Sequence, residues 1–485
     1  GSEMCIRDRF LPCCSIMGSF TLVSNKVNSL NGEIEVPGDK SISHRAVILS
    51  MLSEGQTVIE NYLSSEDIYR TIEVSRILGA DIYLKNEVME VYGKGLEKLV
   101  DPKKILNFGN SGTSIRLFMG ILAAQKFDSV LTGDRSLRKR PMERVAKPLR
   151  AMGANLETNN GNPPVKIKGT NKLNNLRYKL DIPSAQIKSA ILLASLFTNG
   201  KTVIETDTDT RDHTEIMLKD FSSAIEVDEK TISIVGGKVF SPEYIYVPGD
   251  LSSASFLILA GLISKDSELK IKNVGLNPTR MGFIEIMKLM NADIEINTDK
   301  TSNTNEKIGS IVVRSSNLKG IDVPKKLIAS AIDEMPLVFL AAACAEGYTS
   351  IKNAKELRYK ESDRIKAMVN NLASLSIEVN EYDDGARIKG GTIQGTNLDS
   401  FDDHRVAMKC ILSSSIYEKH INLKNRKDVQ TTSSHWYHNN PAYKYITEIN
   451  RIYVKTISGH WYRNNPSIMI GLFFISASVI SSLLF

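Results

Sequence analysis

A group of cationic and hydroxyl side chains at the start of one predicted helix could bind an anion. In residues 36–50, VPGDKSISHRAVILS, a strand-like approach ends and Lys40, Ser41 and Arg45 follow at the beginning of an apolar helical run. The free N–H groups and the dipole of a helix N-terminus already favour negative charge. Arg45 lies one turn after Ser41, so both side chains can face the same ligand. A helix cap with solvated charges would account for this stretch if it occurred only once.

The same kind of helix start recurs along the chain at intervals of roughly 70 to 80 residues, a period too long for a solenoid. The polar residues at the other starts are Asn110, Ser111, Gly112, Thr113 and Arg116; Ser184, Gln186 and Lys188; Ser252, Ser253 and Ser255; Asp333 and Glu334; and Asp402, Asp403, His404 and Arg405. If the six helices converge, their N-terminal ends form one anion-binding site with acidic groups placed for proton transfer. Capping alone does not explain this repeated choice of residues.

Two kinds of helix must position these residues. The helices that begin near 41, 111, 184, 251, 333 and 403 are nearly all apolar after their first turn, which predicts that they are buried on most sides. A turn and a strand candidate follow each of them: TVIENY, SVLTGD, TVIETD, ELKIKN, YTSIKN and HINLKN. The first five units also contain an amphipathic helix that ends in a small residue and runs into a strand, as in ILGADIYL. The pattern predicts an α/β chain of six compact units, each with a buried and an exposed helix.

Composition and charge favour a globular protein that binds small anions. The chain has 485 residues, 42% hydrophobic and 24% charged, so we expect two to four domains. The net charge of +6 is spread along the chain and aromatic residues are only 7%, which disfavours nucleic acid as a partner. The cysteines at 5, 13, 14, 344 and 410 fit no zinc-site spacing, and their odd number argues against a disulfide framework. We therefore expect a reducing compartment.

Both ends of the chain differ from the middle. Residues 1–16 have no helical or strand period, and Met17 is a natural start for the functional chain. The uncharged run 467–485, SIMIGLFFISASVISSLLF, would rise about 28 Å as a helix, close to the ~30 Å of a bilayer core. It predicts either a membrane anchor or a tail from read-through or fusion sequence. A duplication favours the tail, because VQTTSSHWYHNNP at 429–441 returns as VKTISGHWYRNNP at 454–466.

A set of motifs in a fixed order carries a family resemblance. The motifs are VPGDKSISHRA, FGNSGTSIR, TGDRSLRKRPM, PSAQIKSA, TRDHTE, NPTR, IDEMP, ELRYKESDR and DDHRVAM. Over residues 22–430 the chain resembles the 5-enolpyruvylshikimate-3-phosphate (EPSP) synthase family, whose members are also called 3-phosphoshikimate 1-carboxyvinyltransferases. GDKS, SAQIK, RDHTE and NPTR together resemble its class II branch, which is often less sensitive to glyphosate.

The resemblance implies a fold and a domain division. The fold would be an inside-out α/β barrel with two globular domains, each of three βαβαββ units, joined by crossover strands near 37–39 and 248–250. One domain would combine 22–38 with 250–430, and the other would be 39–249. Residues 1–21 would be a non-native-looking extension and 431–485 an atypical tail. A cytoplasmic monomer is the expectation.

The resemblance also implies a reaction, the transfer of the enolpyruvyl group of phosphoenolpyruvate to the 5-hydroxyl of shikimate 3-phosphate with release of phosphate. Addition followed by elimination needs a base for the hydroxyl and an acid for the methylene carbon, and no metal or redox cofactor. Because both substrates are anions, a site rich in lysine, arginine and helix N-termini is a physical requirement.

Site residues follow from their positions in the family motifs. The implied contacts with shikimate 3-phosphate are Lys40, Ser41, Arg45, Ser184, Ala185, Gln186, Arg211, Asp333 and Lys360. The implied contacts with phosphoenolpyruvate are Lys40, Gly112, Arg140, Gln186, Arg364 and Arg405. The implied catalytic residues are Asp333, which takes the hydroxyl proton, Glu361, which protonates the methylene and takes that proton back, and Lys40. Taken singly, Asp333 could be a helix cap, Lys360–Arg364 an i,i+4 solvated face, and Asp403-His404-Arg405 a cap with a local ion pair. His213 and His404 are expected to orient or pack.

Two competing functions and one departure from the family remain open. After Met408 the usual closing segment of the sixth unit is replaced by DVQTTSSHWYHNNPAYKYITEI, so the sequence does not predict how that unit closes. One rival is the related enzyme that transfers enolpyruvate to UDP-N-acetylglucosamine, which carries a reactive cysteine in the loop equivalent to 131–142. This chain has LTGDRSLRKRPM there, without cysteine. The other rival is a non-catalytic, membrane-tethered relative.

Overall fold

The computed structural model of the chain describes residues 20–23, 29–85, 88–170, 172–208, 210–237, 239–299, 305–360, 362–394, 397–399, 401, 403, 406, 412, 421–424 and 453–455. The strands are β1 Phe20–Val23, β2 Asn31–Glu35, β3 Glu54–Glu60, β4 Asp81–Lys85, β5 Val88–Lys94, β6 Leu106–Asn107, β7 Ser129–Thr132, β8 Asn155–Asn159, β9 Asn162–Lys168, β10 Arg177–Lys179, β11 Lys201–Glu205, β12 Ile225–Val227, β13 Thr231–Val235, β14 Tyr244–Tyr246, β15 Glu268–Gly275, β16 Asp293–Thr298, β17 Ile308–Arg314, β18 Tyr348–Ile351, β19 Val379–Tyr382, β20 Gly385–Lys389, β21 Asn397–Asp399, β22 Ile421–Lys424 and β23 Tyr453–Lys455. The helices are α1 Lys40–Leu52, α2 Glu66–Ile77, α3 Gly112–Leu122, α4 Glu143–Ala151, α5 Ala185–Ser195, α6 His213–Asp220, α7 Leu251–Ile263, α8 Gly282–Leu289, α9 Lys325–Ile328, α10 Met335–Cys344 and α11 Arg364–Ser374.

The strands form six small sheets, one for each repeat. The sheet orders are β14-β3-β5-β4, β6-β7-β9-β8, β10-β11-β13-β12, β16-β17-β15-β2, β18-β20-β19 and β21-β22-β1-β23. Most contain one parallel pair at an edge, such as β6 with β7, followed by antiparallel pairs, such as β7 with β9 and β8 with β9. Each predicted strand segment overlaps one of these strands. The sixth sheet also includes β23, from the segment predicted to be an atypical tail.

The helices divide into buried and amphipathic ones, as their sequences predict. Almost every residue of α1, α3, α5, α7 and α10 is buried, because small and apolar residues fill most of each helix after its first turn and the later cations Arg45 and Arg116 are themselves buried. The second helix of each unit buries only one face, as α2 and α11 do. The fifth buried helix begins at Met335 rather than at Asp333, since 330–334 form turns. The sixth predicted helix lies largely outside the described residues.

Two hydrophobic cores lie on either side of a paired crossover. One core contains residues from Ile42 to Val247, and the other combines Leu30, Ile34 and Val36 with residues from Leu251 onward. Where the chain passes between them, the Asp39 N–H donates to the Pro248 carbonyl and the Asp250 N–H donates to the Pro37 carbonyl, each at 2.8 Å. The helices α1 and α7 begin directly after these two hydrogen bonds, so their N-termini lie close together at the paired crossover.

Candidate active site

The N-terminus of α1 presents Lys40 beside an acidic partner. Asp39 caps the helix by accepting from the Ile42 N–H at 2.9 Å, which leaves Lys40 in the first turn. The Lys40 ammonium donates to Asp67 Oδ2 at 2.8 Å, and 38% of its side chain is exposed. An anion could approach the exposed part of this ammonium. The neighbouring Ser41 is also partly exposed.

Arg45 is buried and bonded within its own half of the molecule. Its Nε donates to Thr214 Oγ1 at 2.6 Å, and Nη2 donates to Ser189 Oγ at 2.8 Å. Nη1 donates to the Ser41 carbonyl at 2.9 Å. Burial lowers the pKa of Arg45 to about 10, although Glu215 and Asp39 favour the charged form. The guanidinium therefore ties α1 to α5 and α6, and it fixes the backbone of Ser41 at the helix start.

The N-termini of α3 and α5 meet through Arg116 and Gln186. Arg116 Nη1 donates to Gln186 Oε1 at 2.8 Å, and the Gln186 amide donates to Thr113 Oγ1 at 3.1 Å. Ser184, Ala185 and Gln186 are partly exposed while the residues after them are buried. The predicted site residues of α5 therefore lie where the helix opens to solvent.

Gly112 lies against two guanidiniums. An added Cβ would come within 2.9 Å of Arg140 Nη1 and 3.0 Å of Arg116 Nη1. Arg140 follows a 3₁₀ turn, Leu137–Lys139, and its Nη2 donates to Asn110 Oδ1 at 2.7 Å. The helix N-terminus and the arginine at this point both favour a carboxylate or a phosphate.

Asp333 lies among cations from both halves of the molecule. Arg211 Nη2 donates to Asp333 Oδ2 from the opposite half. Lys360 Nζ lies 3.6 Å and Arg364 Nη1 3.9 Å from Asp333 Oδ1. Its side chain keeps 16% of its surface exposed. A general base must accept its proton on a carboxylate oxygen, and Asp333 combines such an oxygen with partial exposure at the boundary of the two halves.

Arg364 is oriented by a second, buried carboxylate. It is the first residue of α11, and its Nε donates to Asp403 Oδ2 at 2.8 Å. Asp403 is fully buried, and it also accepts from the Ser362 hydroxyl at 3.2 Å. The sequence predicted Arg364 but gave Asp403 no role at the site. Glu361 and Arg405 lie outside the described residues, so their placement stays a prediction.

Contacts between charged side chains join the two halves near the predicted site. Arg211 pairs with Asp333, and the Glu356 carboxylate of one half acts electrostatically on Arg144 of the other. Burial lowers the pKa of Arg144, and the Glu356 carboxylate opposes this shift. Lys360 also donates to Glu356 at 2.8 Å. The solvated face suggested as an alternative for Lys360 and Arg364 is wrong for Arg364, whose side chain is only 1% exposed.

Sequence reasoning named Asn110 and Asp403 at the helix starts but assigned no hydrogen-bond partner to any of the site cations. Asp67, Asn110 and Asp403 accept from Lys40, Arg140 and Arg364. Asp403 had a sequence signal, since it precedes the sixth buried helix. Asp67 lies in the first turn of α2, where an acidic residue is ordinary, so nothing in the sequence distinguished it.

Comparisons with known proteins agree along most of the chain. The family model for EPSP synthase (3-phosphoshikimate 1-carboxyvinyltransferase) matches residues 24–439. A Legionella pneumophila (strain Lens) protein named 3-phosphoshikimate 1-carboxyvinyltransferase is 45% identical over 412 residues, 84% of this chain and 95% of that one. A Petrotoga mobilis protein of the same name is 47% identical over 403 residues, 82% of this chain and 93% of that one.

A solved structure matches the fold. The EPSP synthase of Acinetobacter baumannii superposes with a TM-score of 0.79 at 39% identity, covering 91% of this chain and 100% of that chain. The predicted fold class, an inside-out α/β barrel with two globular domains of βαβαββ units, is confirmed. Within the part of the chain that the structure describes, no helix is both long and apolar enough to cross a membrane. The apolar run 467–485 lies outside that part.

Proposed function

The chain belongs to the EPSP synthase (3-phosphoshikimate 1-carboxyvinyltransferase) family, and on that premise we propose how the residues between its two halves perform the transfer. The enzyme moves the enolpyruvyl group of phosphoenolpyruvate to the 5-hydroxyl of shikimate 3-phosphate and releases phosphate. The observation that carries the assignment of roles is Asp333, a partly exposed carboxylate that cations from both halves surround.

The helix starts of both halves supply the anion contacts. Shikimate 3-phosphate is bound by Lys40, Ser41, Arg45, Ser184, Ala185, Gln186, Arg211, Asp333 and Lys360. Phosphoenolpyruvate is bound by Lys40, Gly112, Arg140, Gln186, Arg364 and Arg405. The support for the second set is the site at Gly112 of the α3 N-terminus, where a Cβ added to the glycine would lie 2.9 Å from Arg140 Nη1 and 3.0 Å from Arg116 Nη1.

Two proton transfers complete the reaction. Asp333 takes the proton of the 5-hydroxyl while that oxygen bonds to C2 of phosphoenolpyruvate, and Glu361 protonates the methylene carbon. Glu361 then removes a proton from the resulting methyl group as the C2–phosphate bond breaks, which restores the double bond. Lys40 stabilises negative charge that develops on both substrates. These steps use side chains and helix N-termini, and the expectation of no metal or redox cofactor stays a prediction.

The same proposal covers the organisation of the chain. We assign 22–38 with 250–430 to one domain and 39–249 to the other. The two hydrophobic cores follow this division. A cytoplasmic monomer remains the expectation.

Phosphate release tests the proposed function directly. The full chain and a chain truncated near residue 450, which removes β23, are incubated with shikimate 3-phosphate and phosphoenolpyruvate. UDP-N-acetylglucosamine replaces shikimate 3-phosphate in a parallel reaction. Release that depends on shikimate 3-phosphate supports the proposal. Release only with the sugar nucleotide would favour the rival transferase, and activity in neither chain would favour a non-catalytic relative.

A further inference from the structure

One buried arginine contacts both crossover segments. Arg280 ends the 3₁₀ turn Pro278–Arg280 in the motif NPTR, and only 3% of it is exposed. Its Nη1 lies 3.1 Å from Asp39 Oδ2, and its Nη2 lies 3.4 Å from Asp250 Oδ1. These two aspartates cap α1 and α7, the first buried helices of the two halves. A single guanidinium therefore sets the spacing between the starts of both halves.

The same guanidinium reaches the residue next to the proposed base. Arg280 Nη2 donates to Ser252 Oγ at 2.5 Å and lies 3.6 Å from Glu334 Oε1. The Ser252 hydroxyl in turn donates to Glu334 Oε1. Glu334 is buried, and it directly follows Asp333 in the chain. We call Arg280, Asp39, Asp250, Ser252 and Glu334 the hinge cluster.

We propose that Arg280 is a positioning residue for the transfer reaction, which couples the angle between the two halves to the placement of Asp333. The inference rests on the proposed function. Asp333 faces Arg211 of the opposite half, so its distance from groups on that half depends on the angle at the crossovers. Arg280 holds both crossovers with the two arms of its fork and reaches Asp333 through Ser252 and Glu334. Loss of this fork leaves the site residues present but misplaced relative to one another.

The charges of the hinge cluster explain why an arginine is needed. Burial would lower the pKa of Arg280, but the carboxylates of Asp39, Glu334 and Asp250 raise it, so the guanidinium stays charged. Lysine would keep this charge on one compact head, and it could not hold two carboxylates in a fixed fork. The variant Arg280→Lys therefore keeps the positive charge and removes the fork, so that its effect reports on the geometry of the contacts. Removing the charge altogether would take away the positive charge that faces these buried carboxylates and endanger folding.

The test compares Arg280→Lys with a matched control. Arg314 also contacts three carboxylates, Glu268, Asp293 and Glu295, but on the partly exposed surface of one half. We expect Arg280→Lys to lower kcat about 10-fold or more with both KM values within about 3-fold, because the placement of reacting groups is lost and binding is not. We also expect shikimate 3-phosphate to make the wild-type molecule more compact in solution scattering, and Arg280→Lys to show a smaller change. Arg314→Lys should match the wild type in both measurements.

Ser252→Ala covers the case in which Arg280→Lys does not fold. It removes the hydroxyl between Arg280 and Glu334 and keeps every charge of the cluster, and we expect the same selective fall in kcat. A cooperative melting curve must accompany each kinetic measurement. A variant that melts earlier but keeps the wild-type kcat and scattering change would overturn the inference, since Arg280 would then act only on stability.

Failure of the proposed function would look different. A wild-type chain that releases no phosphate would overturn the proposed activity, while the scattering comparison still decides whether Arg280 controls the angle between the halves. Wild-type activity combined with an unaltered Arg280→Lys variant would overturn the Arg280 inference alone.

Discussion

Arg140 and Arg116 approach Gly112 more closely than any side chain there would allow. A Cβ would lie 2.9 Å from Arg140 Nη1 and 3.0 Å from Arg116 Nη1, and real Cβ contacts are seldom that short. Arg116 is buried and donates to Gln186 and to the Pro141 carbonyl, whereas Arg140 is only partly buried. The glycine thus determines where the guanidinium of Arg140, a proposed contact of phosphoenolpyruvate, can lie.

The substitution Gly112→Ala should weaken phosphoenolpyruvate binding. The new methyl group displaces the Arg140 guanidinium, so we expect the KM for phosphoenolpyruvate to rise about 10-fold, as for loss of one charge-assisted contact. The KM for shikimate 3-phosphate should change little. Steady-state kinetics measure both. Gly391→Ala is the matched control, because a Cβ there meets only Ile377 at 3.8 Å, and an equal effect of both variants would contradict the prediction.

The substitution Asp333→Asn tests the base. The amide keeps the shape of the side chain but cannot take the hydroxyl proton, so we expect kcat to fall about 100-fold or more with near-normal substrate binding. Glu361→Gln should have a similar effect. Single-turnover kinetics and equilibrium binding of shikimate 3-phosphate separate the two quantities. Unchanged turnover in both variants would rule out these roles.

Elements are held in register near the site by buried polar contacts as well as by apolar packing. His44 of α1 places Nδ1 2.7 Å from Thr71 Oγ1 of α2, and that hydroxyl lies 2.9 Å from Ser114 Oγ of α3. Burial lowers the pKa of His44 to about 3, although the Asp67 carboxylate favours the charged ring. The three helices are therefore joined by an imidazole that stays neutral at ordinary pH.

The neutral ring of His44 predicts a pH dependence of stability. In the unfolded chain the histidine titrates at its usual pKa of 6.5, whereas in the fold its pKa is about 3. As the pH falls below 6.5, the histidine binds a proton in the unfolded chain but not in the folded one. The free energy of unfolding therefore decreases by up to about 1.4 kcal/mol per pH unit. The contribution of the neutral His44 ring to the free energy of unfolding is fully present above pH 6.5.

The substitution His44→Gln should remove this part of the slope. Urea unfolding of the wild type and the variant between pH 8 and pH 4.5 measures it. The two free energies of unfolding should run parallel above pH 7 and converge below pH 6.5. Curves that stay parallel throughout would contradict a neutral buried His44.

The whole molecule closes through contacts that cross between its halves. Arg211 pairs with Asp333, and His213 Nδ1 lies 2.6 Å from Glu306 Oε1. Asn277 donates to Asp212 at 2.7 Å in the same region. Because Arg211 and Asp333 are both proposed to contact shikimate 3-phosphate, the substrate would bind where the two halves approach. We expect substrate binding and closure to be coupled.

The substitution Arg211→Gln should loosen the substrate-free molecule. It removes an ion pair that joins the halves, so we expect a larger radius of gyration without substrate and a larger compaction when shikimate 3-phosphate is added. Small-angle scattering measures both states. Arg177→Gln is the control, since Arg177 pairs with Glu205 within one half and is largely exposed. Identical profiles for the wild type and Arg211→Gln would count against a closing role for this pair.

Local sequence patterns account for the elements and for most of the candidate site. Helices such as α1 and α7 are predictable because an aspartate cap precedes a long apolar run, and that order of residues forms a buried helix wherever it occurs. Lys40, Gly112 and Asp333 were predicted from motifs at these starts. Asp67 and Arg280 were not assigned roles, because a first-turn carboxylate and a buried arginine have many ordinary uses.

The sequence by itself determined six repeated units, their buried helices and the chemistry at each helix start, since these depend on residues close together in the chain. Only the tertiary structure decided which of those residues meet. Asp39, Asp250 and Arg280 are far apart in sequence and in direct contact in the fold. They meet where the two crossovers pair between two separate hydrophobic cores, and such long-range pairing is not encoded in any local pattern of residues.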